Sequence, residues 1–239
     1  MGKDSVLWEG LDLTAAIRIL GQAGLHDPTN LDLEPRLQIQ VLIDALCDLS
    51  MHDGLTGLVN PTFFHAALAT ELDRSARTGR TCGLLVIDVD RFKLINDGHG
   101  HDAGDRVLRA VAAQLKRSLR SMDTAARAGG DEFAVILPEC TPEDALTAAT
   151  RIHGGMNPLA ISTGDPIPSV TTSAGLVWTE PGVTITAKVL MARADAQLYH
   201  AKRAGRMRLS HPALVHTRVS TAEHSALIAR QLEEDSHAQ

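Results

Sequence analysis

The chain has 239 residues, of which 44% are hydrophobic, 22% charged and 3% aromatic. That composition supports one mid-sized α/β or α+β domain with extensions, and the net charge of −6 argues against a sequence-independent grip on nucleic acid. No apolar run reaches membrane-spanning length and no signal peptide opens the chain, so the expectation is a soluble, cytoplasmic protein without a membrane span. Cys47, Cys82 and Cys140 lie far apart without metal-type spacing and read as reduced thiols.

Residues 1–50 read as a separate helical unit. Leu13, Ile17 and Leu20 repeat at helical spacing, which Gly21 and Gly24 end. Asp27-Pro28-Thr29-Asn30 reads as a loop. A second helix starts near Pro35. In it, Ile39, Leu42, Leu46 and Leu49 form either a short coiled-coil seam or a face packed on its own domain. Asn60 caps a third helix that opens on Pro61 and runs to about Arg77, with Phe64, Leu68 and Leu72 on one face.

Gly83 to Ile87 is an unbroken apolar run, which reads as a central strand covered on both faces. It ends in Asp88-Val89-Asp90. Phe92, Lys93 and a polar segment from Asn96 to His101 follow, then a helix from about Ala103 to Leu119. The runs Thr124 to Ala128 and Phe133 to Leu137 flank Gly129-Gly130, a tight-hairpin signal because both glycines can take positive φ. Thr141 caps the next helix, with Glu143 and Asp144 in its first turn. Asn157 to Pro168 reads as an irregular loop, Ser169 to Trp178 as a strand, and Ala187 to Ala204 as a helix stopped by Gly205. Residues 211–239 form a tail in which Ser220 and Glu223 make a capping box for a short helix.

Two acidic sites leave strand ends: Asp88, and Asp131 with Glu132 at the hairpin tip. If those strands are neighbours, the carboxylates converge, and a hard divalent cation such as Mg²⁺ relieves their repulsion. A paired metal site would clamp the attacking and leaving oxygens of a phosphoryl displacement. Taken alone, Gly-Gly-Asp-Glu is better read as a solvated turn; the second acidic cluster upstream reverses that. Lys93 follows Asp88 by five residues, and Lys202 and Arg206 share a face of the predicted last helix. That pair is a solvated basic face in isolation and a triphosphate grip beside the acids. Asn96 offers a donor and an acceptor, and the Asp105 carboxylate can accept from guanine N1–H and N2–H₂ together. Without a nucleotide they are a turn residue and a helix N-terminal acid. Arg120 and Asp123 could bind a guanine by face and edge, or form a surface ion pair.

Arg127 through Phe133 resembles the signature of the GGDEF family of diguanylate cyclases, bacterial enzymes that make cyclic di-GMP. Asp53 to Asn60 resembles the family's opening motif. Asp88 to Lys93 and Asn96 to Asp105 resemble the next two, and Leu198 to Lys202 with Gly205-Arg206 the closing one. The resemblance spans about residues 51–208. Pro61 stands where the family often has Arg, and Ala128 where it often has an aromatic.

The resemblance implies an α+β, cyclase-type palm: a central mixed, mainly antiparallel sheet flanked by helices, here with an N-terminal helical segment. It divides the chain into a helical regulatory or dimerisation segment at 1–50, a cyclase domain at 51–210 and a tail at 211–239. It implies that Asp88 and Asp131 bind metal through carboxylates and Val89 through its carbonyl, with two Mg²⁺ or Mn²⁺ per active site. Asp131 or Glu132 helps deprotonate the attacking 3′-OH, and Lys93 stabilises phosphate charge. Arg91, Phe92, Gly129 and Gly130 join the substrate site, Asn96 and Asp105 hold guanine, and Lys202 and Arg206 hold phosphates. Arg120 and Asp123 match the RxxD site of product inhibition. The implied reaction condenses two GTP into cyclic di-GMP and two pyrophosphates in a homodimer or higher homo-oligomer, with a regulatory protein expected at the N-terminal helices. Two other readings are a catalytically inactive module that binds GTP or cyclic di-GMP, and a relative that accepts ATP. Asp105 speaks against the latter.

Overall fold

The computed structural model describes residues 7–8, 11–25, 27, 32–159 and 169–214. The expected loops at 27–30 and 157–168 lie partly outside these residues, and the capping box of the tail lies wholly outside them.

A small hairpin, β1 (Leu7–Trp8) and β2 (Leu11–Asp12), precedes α1 (Thr14–Gln22) and α2 (Pro35–Met51). The hairpin was not foreseen in the sequence; the two helices were. They pack on each other, and Leu20 and Leu42 are buried. Ile39, Leu46 and Leu49 are half-buried, whereas Leu37 and Ile43 are exposed. The end of α2 is tied to the next element: Asn60 N–H donates to Met51 O at 2.8 Å, and its side-chain amide donates to Ser50 O.

The main body follows as α3 (Pro61–Thr78), β3 (Gly83–Val89), α4 (Phe92–His99), α5 (His101–Ser118), β4 (Thr124–Arg127), β5 (Glu132–Leu137), α6 (Pro142–Gly154), β6 (Thr172–Trp178), α7 (Ala187–Arg203) and β7 (Leu209–Ser210). The sheet order is β4-β5-β3-β6-β7, antiparallel throughout except for the parallel pair β6–β7. The mixed, mainly antiparallel sheet is therefore present, with β3 at its centre. Every residue of β3 is buried, because helices cover both faces.

Alternation along β3 divides the core in two. Leu84 and Val86 join Phe64, Leu68 and Leu72 of α3 and Leu190, Ala194 and Leu198 of α7. Leu85, Ile87 and Val89 join Val107, Leu108, Val111 and Leu115 of α5 and Ala145, Ala149 and Ile152 of α6. Caps fix the helix starts. Asn60 accepts from Phe63 N–H, and Thr141 with Asp144 forms a reciprocal capping box. No helix among the described residues is long and apolar enough to cross a membrane.

Candidate active site

The site lies where β3 and β5 end side by side. Antiparallel register sets Asp88 opposite Glu132, and Val89 N–H donates to Asp131 O at 3.2 Å. The three acids that the sequence reading joined lie at adjoining strand ends, where Asp131 and Glu132 act electrostatically on Asp88. Asp88 is buried, and its carboxylate meets the Lys202 ammonium at 2.7 Å. Burial pushes the Asp88 carboxyl above the usual carboxylate range. Lys202 works against that, while Asp131 and Glu132 add to it.

Arg127 and Asp53 brace the hairpin between β4 and β5, a role the sequence reading did not assign to either. Arg127 donates from Nε and one terminal nitrogen to Gly130 O at 3.1 and 2.7 Å. Its other terminal nitrogen lies 3.3 Å from an Asp53 carboxylate oxygen. Asp53 in turn accepts from the Thr56 amide at 2.9 Å and hydroxyl at 2.6 Å. Burial raises the Asp53 carboxyl, but the Thr56 bonds and Arg127 outweigh it and hold it below the ordinary value.

The tight-turn reading needs correction. Gly129 and Gly130 do not take positive φ. The strands stop at Arg127 and Glu132, so residues 128–131 form the loop. The Ala128 and Gly129 amides both donate to Glu132 O, at 2.9 and 3.3 Å. A four-residue loop closes with ordinary dihedrals, so the value of Gly129 is its missing side chain: a Cβ there would lie 3.2 Å from Glu132 Oε2.

The segment read as turn-like after Asp90 contains α4. Arg91 precedes it in the left-handed region, at φ 57°. Lys93 is exposed on its first turn, beside half-buried Phe92. On its next turn, Asn96 faces α5 at Gly104, where a Cβ would fall 1.9 Å from Asn96 Oδ1. Asn96 Oδ1 is buried without a hydrogen-bond partner among the described residues. Asp105 follows Gly104 and lies 3.7 Å from Arg109, half-exposed. The two candidate base-binding side chains therefore stand at one α4–α5 junction.

Lys202 and Arg206 do not share a helix face as expected. α7 ends at Arg203, and Gly205 and Arg206 turn away through φ 113° and 63°. Lys202 remains on the helix against Asp88, whereas Arg206 is exposed in the turn beyond.

Arg120 and Asp123 lie elsewhere. They form the turn between α5 and β4, where the Asp123 carboxylate accepts from the Arg120 amide at 2.8 Å and Arg120 O accepts from the Asp123 amide at 3.1 Å. That turn is at the end of β4 opposite the catalytic-type hairpin. The Arg120 side chain is exposed.

The chain is similar to known proteins. Residues 50–208 match the family described as diguanylate cyclase, GGDEF domain. Over 160 residues the chain is 41% identical to the probable diguanylate cyclase DgcC of Escherichia coli K12, covering 67% of this chain and 43% of that one. The chain spans less than half the length of the curated relatives it matches. Among solved structures, the coiled coil and GGDEF domain of DgcB from Caulobacter crescentus, in complex with c-di-GMP, aligns with TM-score 0.68 at 29% identity. The match covers 84% of this chain and all of that one (100%). Diguanylate cyclase SiaD of Pseudomonas aeruginosa, in complex with its activator SiaC, aligns with TM-score 0.66 at 34% identity, covering 84% of this chain and 72% of that one. With the acids paired across β3 and β5 and the match running through every motif around them, the chain belongs to the GGDEF family of diguanylate cyclases.

Proposed function

We propose that this chain is a diguanylate cyclase that condenses two GTP into cyclic di-GMP and releases two pyrophosphates. The observation that carries the reading is the meeting of Asp88, Asp131 and Glu132 at adjoining strand ends, beside the Lys202 ammonium. In each half-reaction, the 3′-oxygen of one GTP attacks the α-phosphorus of the other. The bond from that phosphorus to the α,β-bridging oxygen breaks, the β- and γ-phosphates leave together as pyrophosphate, and the 3′-OH proton passes to a base. Asp131 or Glu132 is that base.

The donor set fits a hard divalent cation. Its candidate ligands are the Asp88 and Asp131 carboxylates and the Val89 carbonyl, all oxygen, and Asp88 already needs a cationic partner. A Mg²⁺ or Mn²⁺ pair bound with the nucleotide would take phosphate oxygens as further ligands. When bound, such ions supply charge stabilisation to the attacking and leaving oxygens.

The rest of the site handles the nucleotide. Asn96 and Asp105 read guanine, and the unpartnered Asn96 Oδ1 supports this because it leaves an acceptor for a base N–H donor. Lys93, Lys202 and Arg206 hold phosphates, with the backbone at Arg91, Phe92, Gly129 and Gly130 close to them. Arg120, exposed, and Asp123, half-buried, lie remote from the acids and bind cyclic di-GMP as inhibitor. A homodimer supplies the second GTP.

Asp131→Asn tests the core of this reading. It should lower turnover by about a hundredfold or more while the melting temperature stays near wild type. Wild-type turnover in the variant would remove Asp131 from the reaction.

A further inference from the structure

Asp90 lies two residues beyond Asp88 and is 7% exposed. The chain itself occupies its carboxylate. Oδ1 accepts from the Ser173 hydroxyl at 2.6 Å, and Oδ2 accepts from the Thr171 hydroxyl at 2.7 Å and the Met207 amide at 3.1 Å. Its own amide donates to Thr171 O at 2.9 Å. One buried side chain thus joins the end of β3, the start of β6 and the segment after α7. Three donors on two oxygens mark it as a well-satisfied internal acceptor.

The segment it grips is strained. Gly205, Arg206 and Met207 follow one another at φ 113°, 63° and 49°. Glycine takes such values freely, whereas Arg and Met do so at a cost. Non-glycine residues stay there only where their surroundings over-determine them. Hydrogen bonds do so here. The Arg206 amide donates to Ala201 O at 3.1 Å, the Met207 amide to Asp90, and the Ala174 amide to Arg208 O at 2.9 Å. Two come from side chains: Arg208 Nε donates to Arg206 O at 3.1 Å from within the turn, whereas Asp90 reaches the residue next to Arg206 from the end of β3.

We propose that Asp90 is a positioning residue for the phosphate grip: by accepting the Met207 amide it holds the left-handed Arg206–Met207 turn and so fixes where Arg206 presents its guanidinium. The proposal rests on the reading of Arg206 as a phosphate-binding residue. A purely structural Asp90 would affect stability without any special link to residues 206 and 207.

The test is steady-state kinetics with GTP and Mg²⁺ on the full chain, with melting curves for each variant. Arg206→Ala should raise KM about tenfold with kcat little changed, because a charge-assisted contact made equally in ground and transition states is lost. Asp90→Ala should raise KM by a similar factor, and the double variant should be no worse than Arg206→Ala, since both changes remove one function. Met207→Gly should leave the otherwise wild-type chain nearly unchanged and recover most of the KM lost in Asp90→Ala, because glycine holds the turn without help. Should Asp90→Ala fail to fold, Met207→Pro decides the matter. Residue 207 is exposed, and proline abolishes both the amide and the positive φ, so KM should rise about tenfold in a folded protein.

Outcomes separate the two ideas. An unchanged KM in Arg206→Ala overturns the phosphate role of Arg206 and this proposal with it. A raised KM there, joined to multiplying effects in the double variant, no rescue by Met207→Gly, or wild-type KM in Met207→Pro, overturns the positioning role of Asp90 alone.

Discussion

Asp88 illustrates how the site is built from single residues. Burial alone would favour its neutral form, and two neighbouring acids push the same way, so the Lys202 contact at 2.7 Å is what keeps a charged carboxylate tolerable there. Asp53 is the opposite case. Its carboxyl is held below the ordinary value of 3.8, so its stabilising contribution is present above that pH and is lost as pH falls through the lower folded value. Asp53→Asn should therefore lower the melting temperature at neutral pH, with the gap to wild type closing in acid below 3.8. A gap that widens in acid would contradict the assignment. The cysteines give a second check. Burial pushes Cys82 up to about 12 and Cys140 up to about 11, while Cys47 is exposed. A thiol reagent near neutral pH should find Cys47 at once, and all of Cys47, Cys82 and Cys140 only after unfolding. Rapid modification of Cys82 in the native protein would mean that the β3 core is not packed as described. The acids at 88, 131 and 132 were legible from strand ends and turn chemistry. The Asp53–Arg127 link and the grip of Asp90 on Thr171, Ser173 and Met207 were not, because those partners lie far away in sequence and no local pattern announces them.

At the scale of elements, long periodic segments were plain and short ones were not. Phe64, Leu68 and Leu72 declared α3, and the unbroken run at β3 declared a central strand. α4 was hidden. It starts from a left-handed Arg91 with no side-chain cap, and Gly98 sits within it, so it carries no start signal and reads as a turn. The end of α7 was nearly right, but Gly205 stopped the helix before Arg206 could share its face with Lys202. The same close packing that conceals such details makes them testable. β6 meets α7 at Gly175, where a Cβ would lie 2.3 Å from Leu198 N and 2.4 Å from Ala194 O. Backbone cannot yield as a side chain would, so Gly175→Ala should cost about 3 kcal/mol, read by chemical denaturation. A loss under about 0.5 kcal/mol would show that β6 and α7 are further apart. At Gly104 an added Cβ would clash with the Asn96 side chain, at 1.9 Å from its Oδ1, and that side chain can move. Gly104→Ala should keep the fold but raise KM for GTP about tenfold by displacing the base reader.

For the molecule as a whole, the proposed chemistry needs two domains. Each GTP must provide both a nucleophile and an electrophile, so the proposed reaction requires two copies of the site at β3–β5 to meet face to face through an isologous contact. Product must leave between them, which calls for a separate element to keep the domains near one another. α2 is suited to this because its end is hydrogen-bonded to Asn60, directly before α3. Removing residues 1–49 should leave a folded domain that turns over more slowly and recovers rate with rising protein concentration. A truncated monomer that matches the full-length rate under dilute conditions would contradict this role for α2. The central claim is tested most directly by incubating the purified full chain with GTP and Mg²⁺ and identifying the product by mass. The expected result is cyclic di-GMP with about two pyrophosphates released per molecule formed, fixed by the balanced bond changes at two 3′-oxygens. A protein that binds GTP at this site yet forms neither cyclic di-GMP nor pyrophosphate would contradict it.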